Sequence, residues 1–469
     1  MKKIPLMRRI KNVHFIGIGG SGMSGIAEVL LNQGYNITGS DQNVNTVTTR
    51  LESLGAKIFQ GHDAKNIAKA NAIVISSAIS PTNPELQAAV NARLPILPRA
   101  QMLAELMRFH YGIAIAGTHG KTTTTSLVAS ILAAAKLDPT FVIGGILTGT
   151  SASARLGTSE YFVVEADESD ASFLYFNPMV SIITNIDADH MQTYGGDFHR
   201  LQQAFLDFLH RLPFYGLAVV CIDDPVIQEI LPHISRPVIT YGFSDQADVQ
   251  LYDFKQHSFA CSFKINWKQR NLNTMPINLN LAGKHNALNA TAATIVAIEC
   301  CQIRESAVSS ALAHFSGVGR RMQRYGEISL PQGKVLLIDD YGHHPREVAV
   351  TLEALRNALP GRRLVLAFQP HRYTRTKDLF EDFTSALSTA DALLLMEIYA
   401  ASEEPIPGIN SKALAHSIKQ GGLIEPIFVA NNDELLKILP EVLRDGDILL
   451  VQGAGSIGAI APLLKKEYA

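Results

Sequence analysis

Twice in this 469-residue chain an apolar run ends in glycines and passes straight into a helical pattern. Val13–Ile16 leads into Gly17-Ile18-Gly19-Gly20-Ser21-Gly22, and Gly112–Ala116 leads into Gly117-Thr118-His119-Gly120-Lys121-Thr122-Thr123. A strand–glycine loop–helix corner leaves the first N–H groups of the helix without intrahelical partners and lets the backbone pass close to a phosphate. Such corners belong to parallel sheets covered by helices, with the ligand outside the C-terminal strand ends. Two of them predict an α/β chain with two anion-binding loops.

The first loop fits G-x-G-x-x-G, and Asp41 ends the next strand, where an acid can bond ribose hydroxyls. By itself this loop accommodates the diphosphate of NAD or of UDP, or is a tight turn without a ligand. The second loop has Ile115 where a full P-loop has its first glycine, so it is the shorter G-x-x-G-K-T form. Its N–H groups are expected to cradle phosphates, with Lys121 neutralising the β and γ phosphates and the Thr122 hydroxyl ligating Mg²⁺. The bland reading, a solvated lysine at a helix start, is disfavoured by the helix dipole.

Strands are also expected at Asn36–Gly39, Ala72–Ile75 and Ile96–Leu97, then at Tyr161–Glu165, Val180–Ile183 and Leu217–Ile222. Polar hairpin strands over 249–252 and 257–267 precede a long Ala-rich helix over 286–301. A third series runs Lys334–Asp339, Arg363–Phe368, Ala392–Glu397, Ile427–Val429 and Asp447–Val451. The expected organisation is a three-domain α/β chain. It comprises a Rossmann-like N-terminal domain (1–109), a central P-loop-type ATPase domain with a mostly parallel sheet (110–319) and a C-terminal Rossmann-like domain (320–469).

Apolar residues at 47% supply the cores, and 41 Lys+Arg against 43 Asp+Glu call for neither a nucleic-acid nor a membrane partner. Cys221, Cys261, Cys300 and Cys301 show no C-x-x-C spacing, and the basic start runs into a strand rather than a signal-peptide core. A cytoplasmic protein without membrane insertion is expected, either monomer or homodimer.

Two acid-rich segments follow strands: Glu165-Ala166-Asp167-Glu168-Ser169-Asp170 and Asn185-Ile186-Asp187-Ala188-Asp189-His190. At strand C-termini they share the P-loop's edge, and carboxylates suit the hard Mg²⁺ ion. Glu165 and His190 are the expected metal ligands, with Thr122. Asp167, Glu168 and Asp170 read as loop caps or solvated acids, and His199, His210 and His233 lack a site context. Further on, Arg372 and Arg375 in His371-Arg372-Tyr373-Thr374-Arg375 suit a carboxylate by paired hydrogen bonds, against an equal reading as a basic exposed loop. Asp339-Asp340-Tyr341-Gly342-His343-His344-Pro345 admits a metal reading, but the preceding strand and Pro345 favour a loop facing a cleft.

Together these segments resemble the Mur ligases. The resemblance runs through GIGGSGMSG (17–25), SSAIS (76–80), GTHGKTTT (117–124), EADESDASF (165–173), NIDADHM (185–191), GKHNALNA (283–290), GVGRRM (317–322), DDYGHHP (339–345) and QPHRYTRT (369–376). It implies ATP- and Mg²⁺-dependent ligation of L-alanine to the carboxylate of UDP-N-acetylmuramate through an acyl phosphate, for peptidoglycan synthesis. The alternatives are a recycling ligase that adds a tripeptide to the same sugar nucleotide or, more remotely, an NAD-dependent oxidoreductase.

The resemblance also implies that the first loop holds UDP rather than NAD. It puts Gly19, Gly20, Ser21, Gly22, Met23, Asp41, His62, Ser76, Ser77 and Ile79 around the UDP-sugar. It puts Gly117, Thr118, His119, Gly120, Lys121, Thr122 and Thr123 on the ATP phosphates, and His285, Asn286 and Asn289 on the adenine side. Arg320 and Asp340 would join the C-terminal domain to ATP, and Tyr341, His343, Arg372 and Arg375 would hold the incoming amino acid. Lys121, Glu165, His190 and His343 are the catalytic set, His343 as helper for the amine proton. Sibling ligases carry a carbamylated lysine about fifteen residues past the metal histidine. This chain has no lysine between His190 and Lys255, with Phe205 near that position, so no carbamate is expected.

Overall fold

The structure, a computed structural model, describes residues 7, 9–76, 78–147, 152–268 and 274–468, and only the backbone of Ser21, Ile146 and Ala152. It forms two compact units. One is Met1–Leu251 with Ile265–Thr274 and Leu288–Ala311; the other is Tyr252–Lys264 with Met275–Ala287 and Leu312–Ala469.

The first sheet comprises β1 (Asn12–Ile16), β2 (Asn36–Asp41), β3 (Lys57–Gln60), β4 (Ala72–Ile75) and β5 (Ile96–Pro98). All are parallel, in the order β3-β2-β1-β4-β5. The order reverses at β1. Ile16 pairs with Ser40 on one side and Ile75 on the other, so the loop after β1, Asp41 and Ser76 share one edge. That is the position where open α/β sheets take ligands.

The central sheet repeats the device on a larger scale. Its strands β6 (Tyr111–Ala116), β7 (Thr140–Leu147), β8 (Ala152–Arg155), β9 (Tyr161–Glu165), β10 (Val180–Ile183), β11 (Leu217–Cys221), β12 (Val238–Gly242) and β13 (Val249–His257) run in the order β13-β12-β11-β10-β6-β9-β7-β8. Only the β7–β8 pair in this stretch is antiparallel. The inner strands are apolar along their length because helices cover both faces. β6 lies between β10 and β9, so the segments after those three strands emerge side by side. Strands β14 (Ala260–Trp267) and β15 (Met275–Leu279) come next in the chain. The Ala-rich helix spans Lys284–Ile295 and continues as a π turn, Val296–Cys300.

The third sheet holds β16 (Gln323–Leu330), β17 (Gly333–Asp340), β18 (Leu364–Phe368), β19 (Ala392–Met396), β20 (Ile427–Val429) and β21 (Ile448–Gln452), in the order β16-β17-β21-β18-β19-β20. Apart from the antiparallel edge strand β16 it is parallel. Alternate residues feed two cores: Leu337, Val365 and Leu449 on one face, Ile338, Leu366 and Leu450 on the other. Among the described residues no helix is long and apolar enough to cross a membrane, and all four cysteines are free thiols.

Candidate active site

Several helices have their first turn capped by a side chain, as Asn45, Asn83, Asp197 and Asn431 do for theirs. The helices behind the two glycine loops, Ser21–Asn32 and Lys121–Ala134, start from Gly20 and Gly120 with no side-chain cap. With no side chain capping them, these first turns present the positive end of the helix dipole, which favours an anion.

At the first loop, Gly17 and Ile18 donate their N–H groups to Ser40 O (2.9 and 3.0 Å), and Gly19 N–H donates to Asp41 Oδ2 (2.8 Å). Ser76 and Ile79 pack against Gly17. Met23 turns its side chain into the core, 1% exposed, and its N–H donates to Gly20 O at 3.0 Å. It is therefore part of the helix's footing and presents no side chain to a ligand. His62 follows β3 beside Asp41, whose carbonyl accepts the Gly61 N–H at 2.8 Å. Ser77 lies outside the described residues, as does the side chain of Ser21.

Arg99, which sequence reading missed, lies here too. Its guanidinium rests against Gly22 so closely that any side chain at that position would collide with it. Its Nη2 stands 3.8 Å from Asp167 Oδ2, in the segment after β9. A cation beside a helix N-terminus is disfavoured by the dipole, and Asp167 offsets this across a loose 3.8 Å contact. The available signal was its position: Arg99 directly follows β5, on the ligand edge of the first sheet.

At the second loop, Lys121 Nζ donates to both Glu168 oxygens (2.8 Å each), Gly117 O (2.6 Å) and Thr118 O (3.1 Å). The expectation that Glu168 is a cap or a solvated acid is corrected: it is 2% exposed and is the lysine's counter-ion. Asp167 and Asp170 do cap their own loop, accepting from Ser169 and Ser172 N–H at 3.0 Å each. Burial works against the Lys121 charge, but Glu168, then Asp167 and Glu165, hold its pKa above the ordinary lysine value. Burial pushes Glu168 up to about 7 despite the lysine.

Thr122 donates its hydroxyl to Glu165 Oε1 at 3.0 Å, and Glu165 Oε2 accepts from Gly144 N–H at 2.8 Å. A hydroxyl and a carboxylate converging at the start of the helix form an oxygen-donor pair of the kind Mg²⁺ takes. His119 donates its N–H to Asn185 Oδ1 at 2.8 Å and sets Nε2 at 3.3 Å from Asp187 Oδ2. His190 stands in the segment after β10, with Nε2 3.5 Å from Asp189 Oδ2. Asn289 packs against Gly120, and Thr123 is buried in the first turn. Phe205, near the carbamate position of the siblings, is fully buried with its ring 5.2 Å from Phe173.

The second unit gathers the remaining expected residues. Asn286 donates to Ala282 O at 2.7 Å, and desolvation holds His285 down to about 4, so its ring is neutral. Arg320 pairs with Asp339 (Nε to Oδ2 3.2 Å), while Asp340 accepts from Met322 N–H, Gly342 N–H and Gln452 Nε2 at 2.8, 2.8 and 2.9 Å. Asp340 thus clasps its own loop. The guanidinium groups of Arg320 and Arg321 both lie over the Tyr341 ring, 5.1 and 5.2 Å from its centre. The His343 and His371 rings are 5.7 Å apart, and His371 stacks on Tyr399. The two predicted carboxylate holders differ: Arg375 is buried and donates to His371 O at 3.1 Å, whereas Arg372 is 39% exposed with Glu403 3.5 Å away.

Family models match the chain in three consecutive stretches: "Mur ligase family, catalytic domain" over 12–111, "Mur ligase middle domain" over 115–297 and "Mur ligase, glutamate ligase domain" over 320–455. A UDP-N-acetylmuramate-alanine ligase from Thermotoga maritima is similar over 97% of this chain and 98% of its own, with 28% identity and a TM-score of 0.80. A murein peptide ligase from Psychrobacter arcticus covers the same shares at 24% identity and a TM-score of 0.72. The UDP-N-acetylmuramate:L-alanyl-gamma-D-glutamyl-meso-diaminopimelate ligase from Neisseria meningitides is 29% identical over 66% of this chain and all of its own, with a TM-score of 0.60. Three family domains in order, on a fold with two uncapped phosphate-type loops, establish that this chain belongs to the Mur ligase family of ATP-dependent amide-forming ligases.

Proposed function

We propose that the chain ligates L-alanine to the carboxylate of UDP-N-acetylmuramate, with ATP going to ADP and phosphate, in the cytoplasm. The observation that carries the chemistry is the P-loop lysine seated beside the Thr122–Glu165 oxygen pair. The choice of alanine is supported by the whole-length likeness to the Thermotoga maritima alanine ligase, at a higher TM-score than either peptide ligase.

The first loop, with Asp41 and His62, takes the UDP-sugar; the second takes the ATP phosphates. A carboxylate is a poor electrophile, so one of its oxygens first attacks the γ-phosphorus and the bond to the β-phosphate oxygen breaks, giving an acyl phosphate and ADP. Lys121 spreads the charge that develops on the β and γ oxygens. Thr122 and Glu165, with His190, would hold Mg²⁺, which would supply further charge neutralisation at the same oxygens. The neutral amine of alanine then attacks the acyl carbon, phosphate leaves, and the amine proton passes to a base for which His343 is the candidate. Arg372 holds the alanine carboxylate, Arg375 and Tyr341 shape its surroundings, and Arg320 and Asp340, placed to join this part of the chain to ATP, brace the segment that carries Tyr341. The proposed division of labour follows the three stretches 1–109, 110–319 and 320–469.

Phosphate release with ATP, Mg²⁺ and UDP-N-acetylmuramate, scanned over amino acids and the L-alanyl-γ-D-glutamyl-diaminopimelate tripeptide, tests this reading. Turnover with L-alanine is expected. Turnover with the tripeptide alone would move the chain to the recycling ligases, and NAD reduction without ATP would overturn the ligase reading.

A further inference from the structure

Glu85, with no exposed surface, is a carboxylate to which neither the loops nor the family motifs give a role. It opens the helix Pro84–Asn91 behind the first glycine loop. Its Oε2 accepts from Ser40 Oγ at 2.5 Å and lies 3.0 Å from His62 Nδ1; its Oε1 accepts from Asn66 Nδ2 at 2.6 Å, with His14 Nε2 3.6 Å away. Burial alone would raise its pKa, but hydrogen bonds from His14, Ser40, Asn66 and His62 outweigh it and hold the group at about 2. An ionised carboxylate only accepts, and the Ser40 hydroxyl, also 3.0 Å from His62 Nδ1, gives its own proton to Glu85 and so can only accept from the ring. The proton of the His62 ring therefore sits on Nδ1, and in the neutral ring Nε2 is an acceptor.

His62 follows β3, whose register with β2 sets Gln60 opposite Asp41, the expected ribose partner. Its side chain is 12% exposed, and the residue directly follows Gly61, whose N–H donates to Asp41 O at 2.8 Å. We propose that Glu85 is a positioning residue that fixes His62 as an Nε2 acceptor, so that the first loop selects a base presenting an N–H there, as uracil does at N3, over one presenting a lone pair, as cytosine does. The proposal rests on the reading that the first loop holds a uridine nucleotide. Two acceptors facing each other leave both unpaired, which disfavours the cytidine nucleotide by about tenfold or more.

Titration calorimetry of the full chain at pH 8 with UDP and with CDP, for the unmodified protein and Glu85→Gln, tests it. The unmodified protein is expected to favour UDP by about tenfold or more. The glutamine amide donates to Nδ1 and moves the ring proton to Nε2, so the preference is expected to collapse or invert while ATP affinity stays unchanged. Nitrogen-15 histidine spectra report the tautomer directly: Nδ1–H for His62 in the unmodified protein, Nε2–H in the variant. A purely structural role for Glu85 would lower stability without changing the UDP:CDP ratio, and an unchanged ratio overturns the proposal. So does an Nε2–H tautomer in the unmodified protein, a result that stands even if the variant does not fold. Absence of UDP binding to the unmodified protein would instead remove the first-loop reading itself.

Discussion

The two glycine loops, both proposed to hold phosphate, have opposite charge arrangements. At the first, a partly exposed carboxylate, Asp41, takes the Gly19 N–H, and the cation, Arg99, is 31% exposed beside Gly22. At the second, the cation is locked: Lys121 is gripped by both oxygens of buried Glu168 and by two loop carbonyls. An exposed charge exchanges partners at little cost, whereas a buried pair must be replaced ion for ion. The first loop is thus suited to a diphosphate that only binds. Under the proposed function, the second keeps its lysine where transferred charge would appear, with the Glu168 carboxylate as a stand-in for the triphosphate.

The largest effect belongs to the locked cation. Lys121→Ala is expected to reduce phosphate release by about a thousandfold or more, because the charge on the transferring group loses its fixed partner. UDP binding should be unaffected. Retained turnover would mean that the second loop is not the phosphoryl-transfer site. Next comes its counter-ion. Glu168→Gln takes from a buried ammonium its bonded counter-charge, leaving two loop carbonyls and more distant carboxylates, at a cost of up to about 3–5 kcal/mol to the ligand-free protein. ATP should then raise the melting temperature of the variant more than that of the unmodified protein, since triphosphate supplies the missing charge. Equal ATP shifts in both proteins would show that Glu168 is no stand-in.

That contrast explains what was legible in the sequence. Buried parallel strands are continuous apolar runs, so Val13–Ile16, Tyr161–Glu165 and Val180–Ile183 announce themselves, and glycine corners mark both loops. The strands that were missed include edge strands with polar faces, such as β3 (KIFQ), β8 (ASAR) and β16 (QRYGEISL), and β7, which a glycine pair interrupts. Local capping is likewise readable: Asp167 and Asp170 bond N–H groups two residues on. Glu168 differs because its partner is 47 residues away, and Arg99 because its neighbour Asp167 is 68 residues away. Such charges look like loop polarity until the sheet order sets them side by side.

The two buried glutamates sharpen the comparison through pH. Glu168 is pushed up to about 7, whereas hydrogen bonds hold Glu85 at about 2 against an ordinary 4.5. A carboxyl depressed in the folded state contributes stability that is complete above its unfolded value and lost as pH falls through its folded one. Glu85 should therefore add ~3 kcal/mol above pH ~5, fading between pH ~4.5 and ~2. Hydrogen exchange in the first sheet, followed from pH 6 to 3, should show protection falling in the unmodified protein and a flatter profile in Glu85→Gln. Parallel profiles would leave Glu85 without its depressed pKa.

Arg99 carries the smallest predicted effect and bears most directly on the difference between the loops. If the first loop exchanges partners freely, Arg99 leaves Asp167 for the diphosphate of the sugar nucleotide, and its loss removes one charge-assisted contact. Arg99→Ala is then expected to weaken UDP-N-acetylmuramate binding by about tenfold, the equivalent of ~1.4 kcal/mol. The maximal rate of phosphate release should change little, and ATP affinity should fall far less than that of the sugar nucleotide. Arg99→Lys keeps the charge but lacks the planar fork, so part of the loss should persist. Calorimetry of the sugar nucleotide at two salt concentrations checks the charge directly, because the penalty of the substitution should shrink as salt rises. A loss confined to ATP affinity, with sugar-nucleotide binding intact, would assign Arg99 to the second loop and erase the contrast between an exchangeable cation and a locked one.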